Sequence, residues 1–133
     1  MLVDTNIVSY FFRKDTRAAF YEPHVKGKTL FISFITVAEL YKWPLERNWS
    51  DENKQRLIQY MRSYAVLPFD DQLAWKWAEL TVAAKKAGNE LSWADSWIAA
   101  TALRHNLPLV THNGKHFGKV PGVTLISENR ENV

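Results

Sequence analysis

The sequence predicts an α/β fold, a three-layer α/β/α arrangement around a mostly parallel sheet of about five strands. Two observations predict it. Short apolar runs rich in β-branched or aromatic residues alternate with stretches of helical spacing, and no two-residue hairpin turn joins consecutive runs. Strands separated by helices need crossover connections, which make the pairing parallel and put helices on both faces.

The strands are expected at Met1 to Val3, Leu30 to Ile35, Ala65 to Phe69, Leu107 to Val110 and Val123 to Ile126, each too short for a buried helix. Helical spacing runs over Ile7 to Arg13, Thr16 to Val25 with Pro23 interrupting, Val37 to Trp43, Asp51 to Tyr64, Gln72 to Ala87 and Trp93 to His105. Ser50 before Asp51 and Glu52 starts a helix with acids on the positive end of its dipole. Asp70 and Asp71 open the next long helix, and Gly88 closes it.

The 133 residues suit one domain, 1–133, with no repeat or linker to divide them. At 47% hydrophobic and 23% charged, with no long apolar run, the chain is neither disordered nor membrane-spanning. Absence of cysteine excludes disulfides, thiolate metal sites and a thiol nucleophile. The opening Met1-Leu2-Val3-Asp4 is no export signal, so a cytoplasmic location is expected. The formal charge of +3 mildly favours a polyanionic partner, although the 17 Lys and Arg residues are spread along the chain.

In an open parallel sheet, ligands bind beyond the carboxyl ends of the strands. Asp4-Thr5-Asn6 follows the first strand, Thr36-Val37-Ala38-Glu39 the second, and Thr111-His112-Asn113-Gly114 the fourth, while Ser92-Trp93-Ala94-Asp95 precedes the late helix. Each has an ordinary structural explanation. Thr36 to Glu39 and Ser92 to Asp95 match capping boxes, Asp4 suits a helix cap, and Asn113-Gly114 suits a turn. Independent caps would be scattered, however, whereas the sheet directs Asp4, Glu39 and Asp95 to one edge. Carboxylates about 5 Å apart repel by roughly 3 kcal/mol at an effective dielectric near 20, so a trio must hold a proton or a cation. Oxygen ligands without His or Cys suit Mg²⁺ or Mn²⁺, which can orient a water and stabilise charge on a phosphodiester oxygen.

Four segments together carry a family resemblance: Leu2-Val3-Asp4-Thr5-Asn6, Thr36-Val37-Ala38-Glu39-Leu40, Ala94-Asp95-Ser96-Trp97-Ile98-Ala99-Ala100-Thr101-Ala102-Leu103 and Leu109-Val110-Thr111-His112-Asn113-Gly114-Lys115-His116-Phe117. The chain resembles PIN-domain nucleases, most closely VapC-like toxins of type II toxin–antitoxin modules. The resemblance implies a Mg²⁺-dependent endoribonuclease with Asp4, Glu39 and Asp95 as its acidic core and Asn6, Thr111 and Asn113 around it. Asp4 and Asp95 would hold the metal, and Glu39 would ligate it or position the attacking water. Thr111 and Asn113 would bond a phosphate oxygen or a water at the ion. Asn113 stands where many PIN nucleases carry a fourth acid, which leaves one ion or two as alternatives. The resemblance also implies an RNA substrate, a homodimer and a cognate antitoxin that blocks the site. Lys115 is the first choice for an RNA-backbone contact, before Arg13 and Lys14. The rival readings are an RNA-binding scaffold without turnover, a housekeeping RNA-processing nuclease, and a phosphate-accepting receiver; the receiver lacks its adjacent acidic pair and late lysine.

His112 and His116 are expected in a loop, with surface or phosphate contacts favoured over zinc. Trp75 and Trp77, two apart on one helix, cannot both face the core, and Trp93 and Trp97 flank Asp95. Aromatic residues between Tyr41 and Trp49 gather near a helix end as a possible partner surface.

Overall fold

The computed structural model describes residues 1–129. Its strands are β1 (Leu2–Val3), β2 (Phe31–Ser33), β3 (Ala65–Leu67), β4 (Leu109–Val110) and β5 (Leu125–Ile126). Its helices are α1 (Thr5–Arg13), α2 (Ala18–Val25), α3 (Phe34–Glu46), α4 (Asp51–Met61), α5 (Asp71–Lys86), α6 (Trp93–His105) and α7 (Gly114–Phe117). The strands form one sheet in the order β3-β2-β1-β4-β5, with every pairing parallel. All five expected strands are present. The short helix α7 is an addition: its four residues are too few to show a helical period.

Alternation along two-residue strands separates two cores. Val3 and Val110 face one layer with Ile7, Tyr21, Leu40 and Leu57, whereas Leu2 and Leu109 face the other with Leu73, Trp97, Ile98 and Phe117. Helices α1 to α4 thus cover one face and α5 to α7 the other, giving the expected three layers. Pro23 does not break α2, and Pro44 likewise lies within α3. Asp70 caps α5 through the Leu73 amide and also pairs with Arg104 at 2.9 Å, tying the start of α5 to the end of α6.

The strand order reverses between β1, the central strand, and its neighbour β4. Chains diverge there, opening a crevice that begins at the residues just after each strand, Asp4 and Thr111. Asp4 N donates to Val110 O at 2.9 Å, which fixes the two strand ends side by side.

One expected cap is corrected. Helix α3 begins at Phe34, and the buried Ser33 is its N-cap, its Oγ accepting from the Thr36 amide at 3.2 Å. Thr36 therefore lies inside the first turn, and Glu39 is released from capping to point elsewhere. Ser33→Ala should cost about 1 kcal/mol, the usual worth of an N-cap, measured by urea unfolding. An unchanged midpoint would show that this cap does not secure the helix that carries Glu39.

Candidate active site

Asp4, Asn6, Glu39, Asp95 and Asn113 line one cleft of about 340 Å³, together with Thr5, Ser9, Leu40 and Trp43. Among the described residues the lining contains three carboxylates and neither lysine nor arginine. Three elements deliver the acids: the N-cap position of α1, the second turn of α3 and the first turn of α6. The positive ends of α1 and α6 thus lie at the cleft and favour negative charge there.

Asp4 is buried, at 4% exposure, and its oxygens are held from two sides. Oδ1 accepts from the Thr5 amide at 2.7 Å, and Oδ2 accepts from Thr111 Oγ1 at 2.6 Å. The capping role and the cleft position therefore coincide in one side chain. Burial pushes the Asp4 carboxyl up to about 7, with Asp95 and Glu39 adding repulsion, against the lowering by Thr111 and Thr5. Thr111 is fully buried behind Asp4 and also accepts from the Asn113 amide at 3.0 Å, so it couples the β4 end to both site residues.

Glu39 Oε1 accepts from Thr5 Oγ1 at 2.7 Å, and Thr5 Oγ1 lies 2.9 Å from Thr36 Oγ1. Sequence reasoning missed Thr5 as the residue orienting Glu39; its place between two site residues was the available signal. Ser92 Oγ accepts from the Asp95 amide at 3.2 Å, the first half of the expected capping box. The Asp95 carboxylate instead lies 3.6 Å from His116 Nδ1. Asn6 presents a buried Oδ1 with no hydrogen-bond partner among the described residues.

The remaining residues singled out in the sequence fall as follows. Lys115 is exposed on α7 and is not among the residues lining the cleft. His116 belongs to α7 and not to a loop. His112 is half-buried, with Tyr10 and Tyr21 edge-on to its ring and Tyr21 Oη 2.5 Å from its Nδ1, so packing holds it. Trp75 is exposed while Trp77 stacks on Trp97, the divergence expected of neighbours two apart.

The donors fit a hard divalent ion. They are oxygens, burial with added repulsion from Asp95 and Glu39 raises the Asp4 carboxyl, and an orphaned amide oxygen lies beside them. Among the described residues no three His, Asp or Glu side chains form a ready-made cage. A hard ion that keeps several waters needs only one or two carboxylates and no complete cage.

A family model for the PIN domain matches residues 1–123. The chain belongs to the PIN-domain family. This PIN chain is 30% identical over 125 residues to Toxin FitB of Neisseria gonorrhoeae, covering 88% of this chain and 90% of that one. It is 27% identical over 126 residues to Ribonuclease VapC2 of Rickettsia felis, covering 93% and 94%. Among solved structures, the VapBC2 complex of Rickettsia felis bound to a promoter DNA fragment superposes with a TM-score of 0.83 at 26% identity, covering 95% and 96%. FitAcB of Neisseria gonorrhoeae gives 0.75 at 28%, with the same coverage. The PIN-like α/β fold expected from sequence is the one observed.

Proposed function

We propose that this chain is a Mg²⁺- or Mn²⁺-dependent endoribonuclease, the toxin of a type II toxin–antitoxin module that a cognate antitoxin inhibits. The single observation that carries this reading is the cleft itself: three carboxylates from distant stretches of a PIN chain line it, and among the described residues no lysine or arginine does. Relatives named as ribonucleases and neighbours solved as toxin–antitoxin complexes support it. A second copy of the chain completes the assembly. Among the described residues no helix is long and apolar enough to cross a membrane.

Asp4 and Asp95 would hold the ion, with Glu39 beside them. When bound, the ion supplies charge that stabilises the oxyanion of the phosphodiester as the bond breaks. The chain's own residues do the rest. Thr111 and the Thr5 amide fix both Asp4 oxygens, so this carboxylate cannot rotate away from the cleft. Thr5 occupies Glu39 Oε1 and leaves Oε2 to accept a proton from the attacking water. Asn6 and Asn113 offer amides to a phosphate oxygen, and Lys115 contacts the RNA backbone outside the cleft.

The test is cleavage of single-stranded RNA by the purified chain with Mg²⁺ or Mn²⁺. EDTA should stop it, and Asp95→Asn should slow it at least about 1,000-fold, a typical loss for a group acting on the transition state. Full cleavage in EDTA or by Asp95→Asn would overturn the metal-centred reading.

A further inference from the structure

Beside the acidic cleft lies a second cavity of about 320 Å³, lined by Phe12, Arg13, Lys14, Trp49, Asn53 and Arg56. Among the described residues its lining carries three cations and no carboxylate. Trp43 joins the two hollows: it lines the acidic cleft, and its ring centroid is 4.8 Å from that of Trp49 and 6.3 Å from that of Phe12. Phe12 and Trp49 are stacked, at 25° and 6.0 Å.

Guanidinium groups sit on these rings. Arg13 and Arg47 each hold Cζ 5.3 Å from the Trp43 centroid, and Arg56 lies 5.7 Å from that of Phe12. Such pairs occur roughly once in 70–80 residues, so three on one patch are a concentration beyond chance spacing. Arg13 also donates to Ser9 at 3.1 Å, and Ser9 lines the acidic cleft. Arg13 leans toward Asp15 at 3.9 Å, and Arg56 donates to Asn53 at 3.2 Å; both leave most of their donors for a ligand.

Cations beside aromatic faces are the chemistry of single-stranded nucleic acid, in which phosphates meet the charges and bases stack on the rings. An apolar peptide anchor would instead meet guanidinium on two of the three rings. We propose that the hollow between α1 and α4, reached past Trp43, is a subsite for one nucleotide of single-stranded RNA flanking the phosphate at the acidic cleft. This rests on the nuclease reading for its substrate and extends it to a binding site with base-stacking character. A volume near the lower end of ligand cavities suits one nucleotide and no larger fold.

The experiment has two arms. In the first, an Asp95→Asn chain binds a labelled random-sequence 20-nucleotide RNA in EDTA, followed by fluorescence anisotropy across NaCl concentrations. Adding Lys14→Ala with Arg56→Ala should weaken binding about tenfold and reduce the salt slope by about 1.4, from roughly 0.7 per phosphate contact. Adding Trp49→Leu should weaken it about tenfold with the slope kept. In the second arm, chains with intact acids cleave the same pool. The same substitutions should raise KM about tenfold on the pool and leave kcat unchanged. If Trp49→Leu misfolds by circular dichroism, the exposed Lys14 and Arg56 decide. Unchanged affinity, slope and KM would overturn the subsite, as would displacement of RNA by a poly-glutamate peptide as effective as by RNA itself. A native chain that cuts nothing in the pool overturns the nuclease reading separately, while the first arm still scores the subsite.

Discussion

Asp4→Asn will abolish RNA cleavage and will also stabilise the metal-free protein at pH 8. Both effects come from one side chain. Asp4 is buried beside two other carboxylates, and its carboxyl is pushed up to about 7 from an ordinary value near 3.8. Below pH 4 the group is protonated in folded and unfolded chains alike, and its contribution to stability is complete. Between pH 4 and 7 the unfolded chain gives up its proton first, so the folded state binds more protons and stability falls as pH rises. Above 7 the loss levels off. At about 1.4 kcal/mol per pKa unit, the burden of the ionised group has an upper limit near 4 kcal/mol. Asparagine removes the charge but keeps one acceptor for the two donors, the Thr5 amide and the Thr111 hydroxyl. The surviving gain should be about 1 to 3 kcal/mol, a rise of several degrees in melting temperature. The check is thermal unfolding of both proteins in EDTA from pH 4 to 8. A stability difference that stays flat over that range would mean that Asp4 carries no burden, and full cleavage would remove it from the reaction.

Stability given up at this cleft explains which features the sequence disclosed. Apolar runs at β1 and β4 placed Asp4 and Thr111 at adjacent strand ends, because parallel pairing of buried strands leaves little choice of register. The spacing of Asp95 from Ser92 was equally readable, since a helix start follows local rules. Glu39 was assigned to the right place for an incomplete reason. A capping box from Thr36 was expected, but Ser33 takes that role and Thr5, 34 positions from Glu39, orients the carboxylate. Cross-chain contacts of this kind have no signature in local spacing. His112 lies in the expected loop, but what fixes its ring, Tyr10 and Tyr21 from helices on the same face as α3, is equally invisible to local spacing. Lys115 lies exposed on α7, two residues after the cleft residue Asn113 and outside the lining, a position consistent with a contact beside the pocket.

Mg²⁺ or Mn²⁺ should raise the melting temperature far more at pH 8 than at pH 5, and its binding near pH 6 should release close to one proton. With its carboxyl near 7, Asp4 is mostly protonated at pH 6 in the free protein, and the carboxylate must lose that proton to serve as a ligand. Apparent affinity should therefore increase about tenfold per pH unit up to 7 and then flatten. Titration calorimetry in two buffers of different ionisation enthalpy measures the released proton directly, and EDTA should reverse the thermal shift. Asp4→Asn supplies the control, because it leaves Glu39 and Asp95 in the cleft while removing the raised carboxyl. Weak binding that persists in that variant should release no proton near pH 6. If native protein bound the ion with the same affinity at pH 5 and pH 8, the ligands would lie elsewhere, and the repulsion among the three carboxylates would need another partner to offset it. Under the proposed mechanism the same proton sets the acid limb of the cleavage profile: activity should climb to a plateau near pH 7, where Asp4 becomes the carboxylate that would hold the ion.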